Sequence, residues 1–205
     1  MLDPAQLLSG YARGVFPMAE SADDDRLYWF DPPFRGVLPV GGVHASRSLR
    51  RSLRRGGWSA HLDCDFAAIV AACAARETTW INAPLAHLYQ RLHAMGHAHA
   101  IEIRHDGRFA GGIFGVTLGG AFFGESMMSA QKDGSKMALI FTSALLRDRG
   151  FRLFDTQFLT PHLARMGGIE ITRATYRQQL ARALRVQADL RAGPMPTADQ
   201  VLAAP

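Results

Sequence analysis

A carboxylate set among apolar residues is the first feature of this sequence that could do chemistry. Glu125 follows Phe122-Phe123-Gly124 and precedes Met127-Met128, inside the glycine-rich stretch from Gly111 to Ser129. Burying an unpaired carboxylate costs free energy, so we expect such a residue to have a role. The stretch has the pattern of two extended runs joined by a turn at Gly119-Gly120. We therefore expect this hairpin to form the wall and mouth of a pocket for an apolar group.

An acid and an amide lie two residues apart further along the chain. Asp155 and Gln157 follow Phe154 at the end of a short apolar run. In an extended segment the two side chains point to the same side. They could orient an amine and take or relay its proton. They could equally cap the helix that follows, and the residues alone leave both interpretations open.

The third chemical feature is a basic segment without a single acid. The spacing predicts a helix that begins after Ser46 and ends at Gly56, with Leu49 and Leu53 on its inner face. Its exposed flank carries four arginines: Arg47, Arg51, Arg54 and Arg55. Such a run repels itself in isolation, which favours contact with the phosphates of a polyanion, although a solvated helix face remains the alternative.

Other kinds of site have weaker support. His97 and His99 share a face of an extended segment, but no Cys or carboxylate lies at convincing ligand spacing, so we expect no metal. Neither a nucleophile elbow nor a glycine-rich phosphate loop is present. The segment from Arg147 to Arg152 lacks the second glycine of an acetyl-CoA pyrophosphate signature. An acyl donor other than CoA is therefore preferred, and we expect no cofactor.

The elements that must position these residues predict an α+β fold with a mixed sheet. Residues 99–104, 109–116 and the strand after Gly120 form a predicted antiparallel meander. Helices at 135–149 and 160–166 and strands at 151–155 and 169–172 follow, then a helix over 176–192. N-acetyltransferases share this order, as do other folds. We expect a small N-terminal domain over 1–57, a catalytic domain over 58–192 and a disordered tail over 193–205.

Composition sets broad limits on the protein. The 205 residues are 48% hydrophobic and 20% charged, which is typical of a globular chain with one substantial core. The formal net charge is +5, supplied mostly by arginine. No apolar run is long enough to span a bilayer, and the first residues do not have the pattern of a signal peptide. We therefore expect a cytoplasmic location.

Ordered motifs across most of the chain together resemble one family, the bacterial leucyl/phenylalanyl-tRNA–protein transferases. The resemblance extends from Leu7 to about Leu180. Its motifs are Tyr11-Ala-Arg-Gly-Val-Phe-Pro17, Trp29-Phe-Asp-Pro-Pro-Phe-Arg-Gly-Val37, His44-Ala-Ser-Arg-Ser-Leu49, Thr79-Trp-Ile81, Tyr89-Gln-Arg-Leu-His93, Gly96-His-Ala-His-Ala-Ile-Glu102, Phe123-Gly-Glu-Ser-Met127 and Asp155-Thr-Gln157.

The resemblance implies a reaction and its partners. Leu or Phe, and less well Met, would be transferred from aminoacyl-tRNA to the α-amino group of a protein that begins with Arg or Lys. The product would be an N-degron, made without metal or CoA by an acetyltransferase-like (GNAT-like) C-terminal domain and a smaller N-terminal domain. A monomer is the default expectation. A non-catalytic tRNA-binding module and a CoA-dependent N-acetyltransferase are the rival readings of the sequence.

The resemblance also implies roles for individual residues. Asp155 and Gln157 match the family's catalytic pair, with Gln157 holding the incoming amine and Asp155 in an electrostatic and proton-relay role. Glu125 would be a fixed polar contact in the aminoacyl pocket. The apolar wall of that pocket would be formed by Ile113, Phe122, Gly124, Met127 and Phe154.

The remaining implied roles concern the tRNA. The entrance near the terminal adenosine would be lined by Tyr11, Met18, Trp80 and Tyr89. The family usually has Trp where this chain has Met18, so apolar contact replaces aromatic stacking at that position. The four arginines of the predicted basic helix match the family's tRNA-binding cluster.

Overall fold

The computed structural model describes residues 2–76 and 79–203, and they form an α+β fold around one large mixed sheet. The helices are α1 (Pro4–Arg13), α2 (Arg47–Arg55), α3 (Phe66–Ala74), α4 (Ala83–Ala94), α5 (Gly134–Asp148), α6 (Pro161–Arg165), α7 (Arg173–Ala183) and α8 (Ala198–Leu202). The strands are β1 (Phe16–Met18), β2 (Tyr28–Phe30), β3 (Phe34–Leu38), β4 (Trp58–Leu62), β5 (Ala98–His105), β6 (Arg108–Leu118), β7 (Ala121–Ser129), β8 (Leu153–Asp155) and β9 (Ile169–Thr172). The predicted fold class is confirmed at this level.

The large sheet has seven strands in the order β4-β5-β6-β7-β8-β3-β9. The predicted meander is confirmed as β5, β6 and β7, and β4 extends it by antiparallel pairing with β5. β8 pairs parallel to β7, because the long helix α5 returns the chain across the sheet before β8 begins. A separate pair, β1 with β2, stands beside this sheet.

Two apolar cores fill the opposite faces of the sheet. One core lies under α2, α5 and α8, and the other lies under α1, α3, α4 and α7. The starts of the helices are specified locally. In α1, for instance, Asp3 and Gln6 form a reciprocal capping box, and Gly14 ends the helix in a left-handed conformation.

The predicted boundary at residue 57 does not separate two folding units in the structure. β3 belongs to the segment assigned to the N-terminal domain, yet it lies inside the large sheet between β8 and β9. α2 packs its Leu49 and Leu53 into the core beneath α5. The apolar side chains of β3 and α2 therefore complete the main core, and this is why the segment cannot stand apart from it.

The predicted disorder of the tail is corrected for residues 193–203. α8 forms there behind a capping box between Thr197 and Gln200, and Val201 is buried against α2 and α5. Residues 204 and 205 lie outside the described residues. In the part of the chain that the structure describes, no helix is long and apolar enough to cross a membrane.

Candidate functional site

A cavity of about 220 Å³ opens between the meander and the segments on either side of it. β6 and β7 form one wall, as the sequence predicted for the glycine-rich hairpin, and the turn after β8 forms another. β1, the end of α3, α5 and α6 close the remaining sides. The lining residues are Phe16, Met18, Arg76, Trp80, Ile113, Gly124, Glu125, Ser126, Met127, Leu139, Thr156, Gln157, Phe158, Thr160 and Leu163.

A β-bulge aims the carboxylate of Glu125. Gly115 of β6 pairs with Gly124 and the preceding Phe114 pairs with Ser126, so Glu125 is the extra residue of β7. A bulge bends its strand and re-aims a side chain relative to the regular alternation. A Cβ at position 124, beside the bulge, would lie 3.0 Å from the ring of Phe154, so a larger residue there would have to displace that ring.

Neutral donors surround the carboxylate of Glu125. Tyr11 donates its hydroxyl to Oε1 at 2.7 Å, and Tyr89 donates to Oε2 at 2.7 Å. The side-chain amide of Gln157 donates to Oε1 at 3.3 Å. Burial raises the pKa of Glu125 from 4.5 to about 7, although the two tyrosine hydroxyls favour the ionised form. A carboxylate that titrates near neutral pH therefore faces the cavity.

The carboxylate of Asp155 has a different environment. It is fully buried and accepts two hydrogen bonds from Arg35, from Nε at 2.9 Å and from Nη2 at 2.6 Å. It also accepts the Tyr176 hydroxyl at 2.7 Å and the backbone N–H of Gln157 at 2.8 Å. Four hydrogen bonds occupy its lone pairs, and the bidentate arginine compensates its charge. Asp155 therefore lies behind the cavity wall rather than in it.

Gln157 joins these two carboxylates. Its backbone N–H binds Asp155 and its amide binds Glu125, while its side chain lines the cavity. Its φ of +58° lies in the left-handed region, which costs free energy for any residue other than glycine. The turn that follows packs on Gly36, where a Cβ would lie 2.7 Å from the backbone of Phe158 and Leu159. A strained backbone thus presents a fixed carboxamide to the cavity.

The structure brings most of the predicted site residues to one cavity. The predicted residues that line it are Met18, Trp80, Ile113, Gly124, Glu125, Met127 and Gln157. The two predicted entrance residues among them, Met18 and Trp80, come from β1 and from the segment before α4. Among the cavity residues that the sequence reasoning did not single out, Phe16, Leu139 and Leu163 add apolar surface and Arg76 adds a charge.

Four other predicted site residues lie behind the cavity, and their expected positions are corrected. Tyr11 and Tyr89 were expected at the entrance, but both are fully buried with their hydroxyls on Glu125. The inner faces of α1 and α4 carry them into the core. Phe122 and Phe154 were expected in the wall, but they pack edge to face in the core behind Gly124.

Sequence reasoning missed the two residues that hold Asp155. Arg35 is only 2% exposed and lies between the rings of Phe16 and Tyr176, with its guanidinium carbon 4.4 Å from each ring centroid. An arginine inside an otherwise apolar strand was the available signal, since arginine is rarely buried without a partner. Tyr176, on α7, had no signal in the local sequence.

The predicted basic helix is confirmed as α2, capped by Ser46 and ended by Gly56. Its arginines at 47, 51, 54 and 55 are all exposed. Within residues 2–76 and 79–203, none of the four forms an ion pair with a carboxylate. The flank is therefore a continuous positive surface.

The histidines considered for a metal site have structural partners. Asp63 accepts Nδ1 of His99 at 2.7 Å, and the carbonyl of Gly96 lies 3.2 Å from Nε2. His97 lies beside the carbonyl of Thr117. Among the described residues, no three His, Cys, Asp or Glu side chains converge as metal ligands would.

Comparison with known proteins yields one consistent match. The family model described as leucyl/phenylalanyl-tRNA protein transferase matches residues 37–181, and the model of its N-terminal domain matches residues 1–33. A protein of Dinoroseobacter shibae named leucyl/phenylalanyl-tRNA–protein transferase is 55% identical over 204 residues, 100% of this chain and 92% of its own length. A Paracoccus denitrificans protein of the same name is 57% identical over 201 residues, 98% of this chain and 95% of its own length.

Proposed function

This chain belongs to the leucyl/phenylalanyl-tRNA–protein transferase family, and on that premise we propose that its cavity receives the aminoacyl group of aminoacyl-tRNA. The protein is an aminoacyltransferase that transfers leucine or phenylalanine from tRNA to protein N-termini. The single observation that carries the site proposal is the fixed position of Gln157 at the cavity: Asp155 accepts its backbone N–H, and Glu125 accepts its carboxamide.

The aminoacyl side chain packs among the apolar residues of the cavity. Ile113, Met127 and Leu139 line it from β6, β7 and α5, and Leu163 adds the surface of α6. Burial of a leucyl or phenylalanyl side chain in such a site contributes roughly 1.5–3 kcal/mol of affinity. Apolar packing separates side chains of similar size weakly, which fits a donor class of leucine, phenylalanine and, less well, methionine.

In the transfer step the α-amino nitrogen of the acceptor protein attacks the ester carbonyl carbon. A C–N bond forms, the C–O bond to the terminal ribose breaks, the amine loses one proton and the ribose oxygen gains one. The Nε2 of Gln157 donates to Glu125, and in this proposal the carboxamide oxygen faces the cavity. That oxygen accepts an N–H of the incoming amine and aligns the nitrogen lone pair. Because the ester is already activated, this positioning supplies most of the rate enhancement.

Asp155 acts through Gln157 in this proposal. The lone pairs of its carboxylate are occupied by Arg35, Tyr176 and the backbone N–H of Gln157, so none is available to accept a proton from the amine. Of the two roles expected from the sequence, its surroundings support the electrostatic one over the proton relay. Asp155 is then a positioning residue that holds the strained turn.

The tRNA body binds to the exposed flank of α2. Arginine binds phosphate oxygens with its planar fork irrespective of base sequence, and the four side chains face solvent together. We therefore expect binding that weakens as salt rises. Arg51→Ala combined with Arg54→Ala should weaken tRNA binding and lower the slope of log K against log salt by about 1–2. An unchanged slope would mean that this flank is only a solvated helix face.

Finer features of the proposal follow from the family. The acceptors are proteins that begin with Arg or Lys, the product is an N-degron, and the enzyme acts as a monomer in the cytoplasm, where aminoacyl-tRNA is made. The architecture is acetyltransferase-like. An antiparallel meander followed by a helix and a strand parallel to the last meander strand supports that assignment.

The direct test supplies the protein with labelled Leu-tRNA and a peptide that begins with Arg. We expect label in the peptide, and no label when the same peptide is N-acetylated, because the acetyl group removes the nucleophile. tRNA binding without transfer would favour a non-catalytic binding module. Acetylation of the peptide from labelled acetyl-CoA would instead favour an N-acetyltransferase.

A further inference from the structure

A second depression adjoins the aminoacyl cavity on the side of α5. The two share Arg76 and Met127 in their walls, so the second space lies directly beside the cavity. We call it the side groove. Its polar walls are Arg76 at the end of α3, Ser129 at the end of β7, Ser135 in the first turn of α5 and His162 on α6.

Positive charge concentrates along the side groove. His162 and Arg165 are three residues apart on α6 and share a face of it. Partial burial lowers the pKa of His162, and the nearby charges of Lys136 and Arg165 lower it further, so the imidazole is a neutral polar group beside two cations. Asp133 binds Lys136 at 2.6 Å, and Arg165 forms no ion pair with any described residue.

This charge continues towards the basic helix. α6 ends at Arg165, and the carbonyl of the next residue, Met166, accepts the backbone N–H of His44 at 2.9 Å. Three residues after His44, α2 begins with Arg47. Permanent positive charges therefore occur at Arg76 beside the cavity, at Arg165 at the end of α6 and at Arg47 at the start of α2.

One buried atom in the side groove is without a partner. The Nε2 of His162 is enclosed and forms no hydrogen bond within the described ranges 2–76 and 79–203. Enclosed polar atoms in folded proteins nearly always have partners, so an unmatched one needs an explanation. An ordered water, or a ligand phosphate reached by a small rotation of the imidazole ring, would supply the missing contact.

We propose that the side groove binds the phosphates of the single-stranded 3′ end of aminoacyl-tRNA and guides that strand from α2 to the cavity. The proposal rests on the function proposed above. When the aminoacyl group occupies the cavity, the attached nucleotides must leave past its rim, and the side groove lies beside that rim with Arg76 in its wall. Arg76 contacts both spaces and also donates to the hydroxyl of Ser126 in the cavity wall. The terminal phosphate is then adjacent to Arg76, and the preceding phosphates lie along His162, Lys136 and Arg165.

Three leucyl substrates of increasing length distinguish the contribution of the side groove from the contributions of the cavity and of α2. Leucyl-adenosine has no phosphate, the trinucleotide leucyl-CCA has the single strand alone, and Leu-tRNA also has the duplex that α2 is proposed to bind. The test variant is Lys136→Ala with Arg165→Ala. The matched control is Arg182→Ala, an exposed arginine on α7, which covers the opposite face of the sheet.

For the Lys136 and Arg165 double variant we expect KM to rise about tenfold or more with leucyl-CCA and with Leu-tRNA. With leucyl-adenosine we expect KM within about twofold of the wild-type value, since no phosphate contact is lost. The slope of log KM against log salt for leucyl-CCA should fall by about 0.7 for each lost phosphate contact. Arg182→Ala should leave all three KM values unchanged.

The outcomes distinguish this inference from its premise. An unchanged KM for leucyl-CCA would overturn the groove as the path of the strand, even with full activity on Leu-tRNA. An equal rise in KM for leucyl-adenosine would show that the substitutions distort the cavity, which also contradicts the proposal. Wild-type protein inactive with all three donors would instead overturn the proposed function. Urea unfolding of each variant checks that the fold is retained.

Discussion

Two buried carboxylates lie on neighbouring strands, and the protein treats their charges in opposite ways. Asp155 on β8 is in register with Phe123 of the parallel strand β7, two residues before Glu125. Asp155 faces a bidentate arginine, whereas Glu125 faces two tyrosine hydroxyls and an amide. A full counter-charge is hydrogen-bonded to the first carboxylate. Neutral donors only partly offset burial at the second, so its pKa rises to about 7.

This difference indicates a division of labour within one site. A fully bonded carboxylate paired with an arginine is suited to hold a strained backbone, and Asp155 holds the N–H of Gln157, whose φ is +58°. A carboxylate exposed to a cavity and able to change its charge near neutral pH can respond to what binds there. Gln157 is hydrogen-bonded to both carboxylates. Its rigid backbone contact with Asp155 therefore also fixes its side chain in the cavity beside Glu125.

Removal of Arg35 should have the largest effect on stability of all the changes that test this difference between the carboxylates. Arg35→Ala should lower the free energy of unfolding by about 3–5 kcal/mol, because the charge of Asp155 is then buried without compensation. Urea unfolding at pH 7 measures the change. Arg177→Ala is the matched control, since it removes a half-exposed partner of Asp31 and should cost about 1 kcal/mol or less.

A second substitution identifies the cause of that loss. Adding Asp155→Asn to Arg35→Ala removes the uncompensated charge and should recover part of the lost stability. If Arg35→Ala costs no more than Arg177→Ala, the ion pair does not hold the turn and the proposed division of labour is wrong.

The pH dependence of stability tests whether the pKa of Glu125 is raised in the folded protein. Its pKa is about 7 in the folded protein and near the usual 4.5 in the unfolded chain, so the native state binds the proton more tightly. This group therefore stabilises the fold at low pH, and the contribution is lost as pH rises through 7. The loss between pH 4.5 and 8 amounts to about 3 kcal/mol.

Glu125→Gln should abolish that contribution. The stability of the variant relative to wild type should increase as pH rises, when urea unfolding is followed from pH 4.5 to 8. Glu170→Gln, at an exposed carboxylate on β9, serves as the control. A constant difference between wild type and Glu125→Gln across this range would show that the pKa of Glu125 is not raised in the folded protein.

Gln157 links the two carboxylates, and two substitutions separate its side chain from its backbone. Gln157→Ala and Gln157→Gly both remove the carboxamide, so both should lower kcat for Leu transfer roughly 100-fold with little change in tRNA affinity. Glycine adopts a positive φ without strain, so the glycine variant should be more stable than the alanine variant by about 1 kcal/mol. Full activity in either variant would exclude the carboxamide from the reaction.

The local parts of the site were predictable from the sequence, and the long-range parts were not. The hairpin and the helix caps of α2 follow from turn glycines and capping residues, which are encoded within a few residues. The strand alternation expected to place Asp155 and Gln157 on one side does not hold, because β8 ends at Asp155 and Gln157 lies in a turn with φ of +58°. The β-bulge at Glu125 interrupts the alternation of side chains between the two faces of β7, and no residue near Glu125 indicates a bulge. Tyr11, Tyr89 and Tyr176 come from three helices distant in sequence from the strands they meet. Their hydroxyl contacts depend on tertiary packing, so helical periodicity indicated burial but not partners.

The smallest predicted effect comes from removing one tyrosine hydroxyl beside each carboxylate. Tyr89→Phe removes one donor from Glu125, and Tyr176→Phe removes one donor from Asp155. Each should cost about 1 kcal/mol in the free energy of unfolding. Only the first should alter pH dependence, because the lost donor favoured the ionised form of Glu125 and its pKa should rise above 7. Arg35 still compensates Asp155 in the second variant, so its pH profile from 5 to 9 should follow that of wild type. Equal shifts of the two profiles would mean that the arginine does not distinguish these carboxylates.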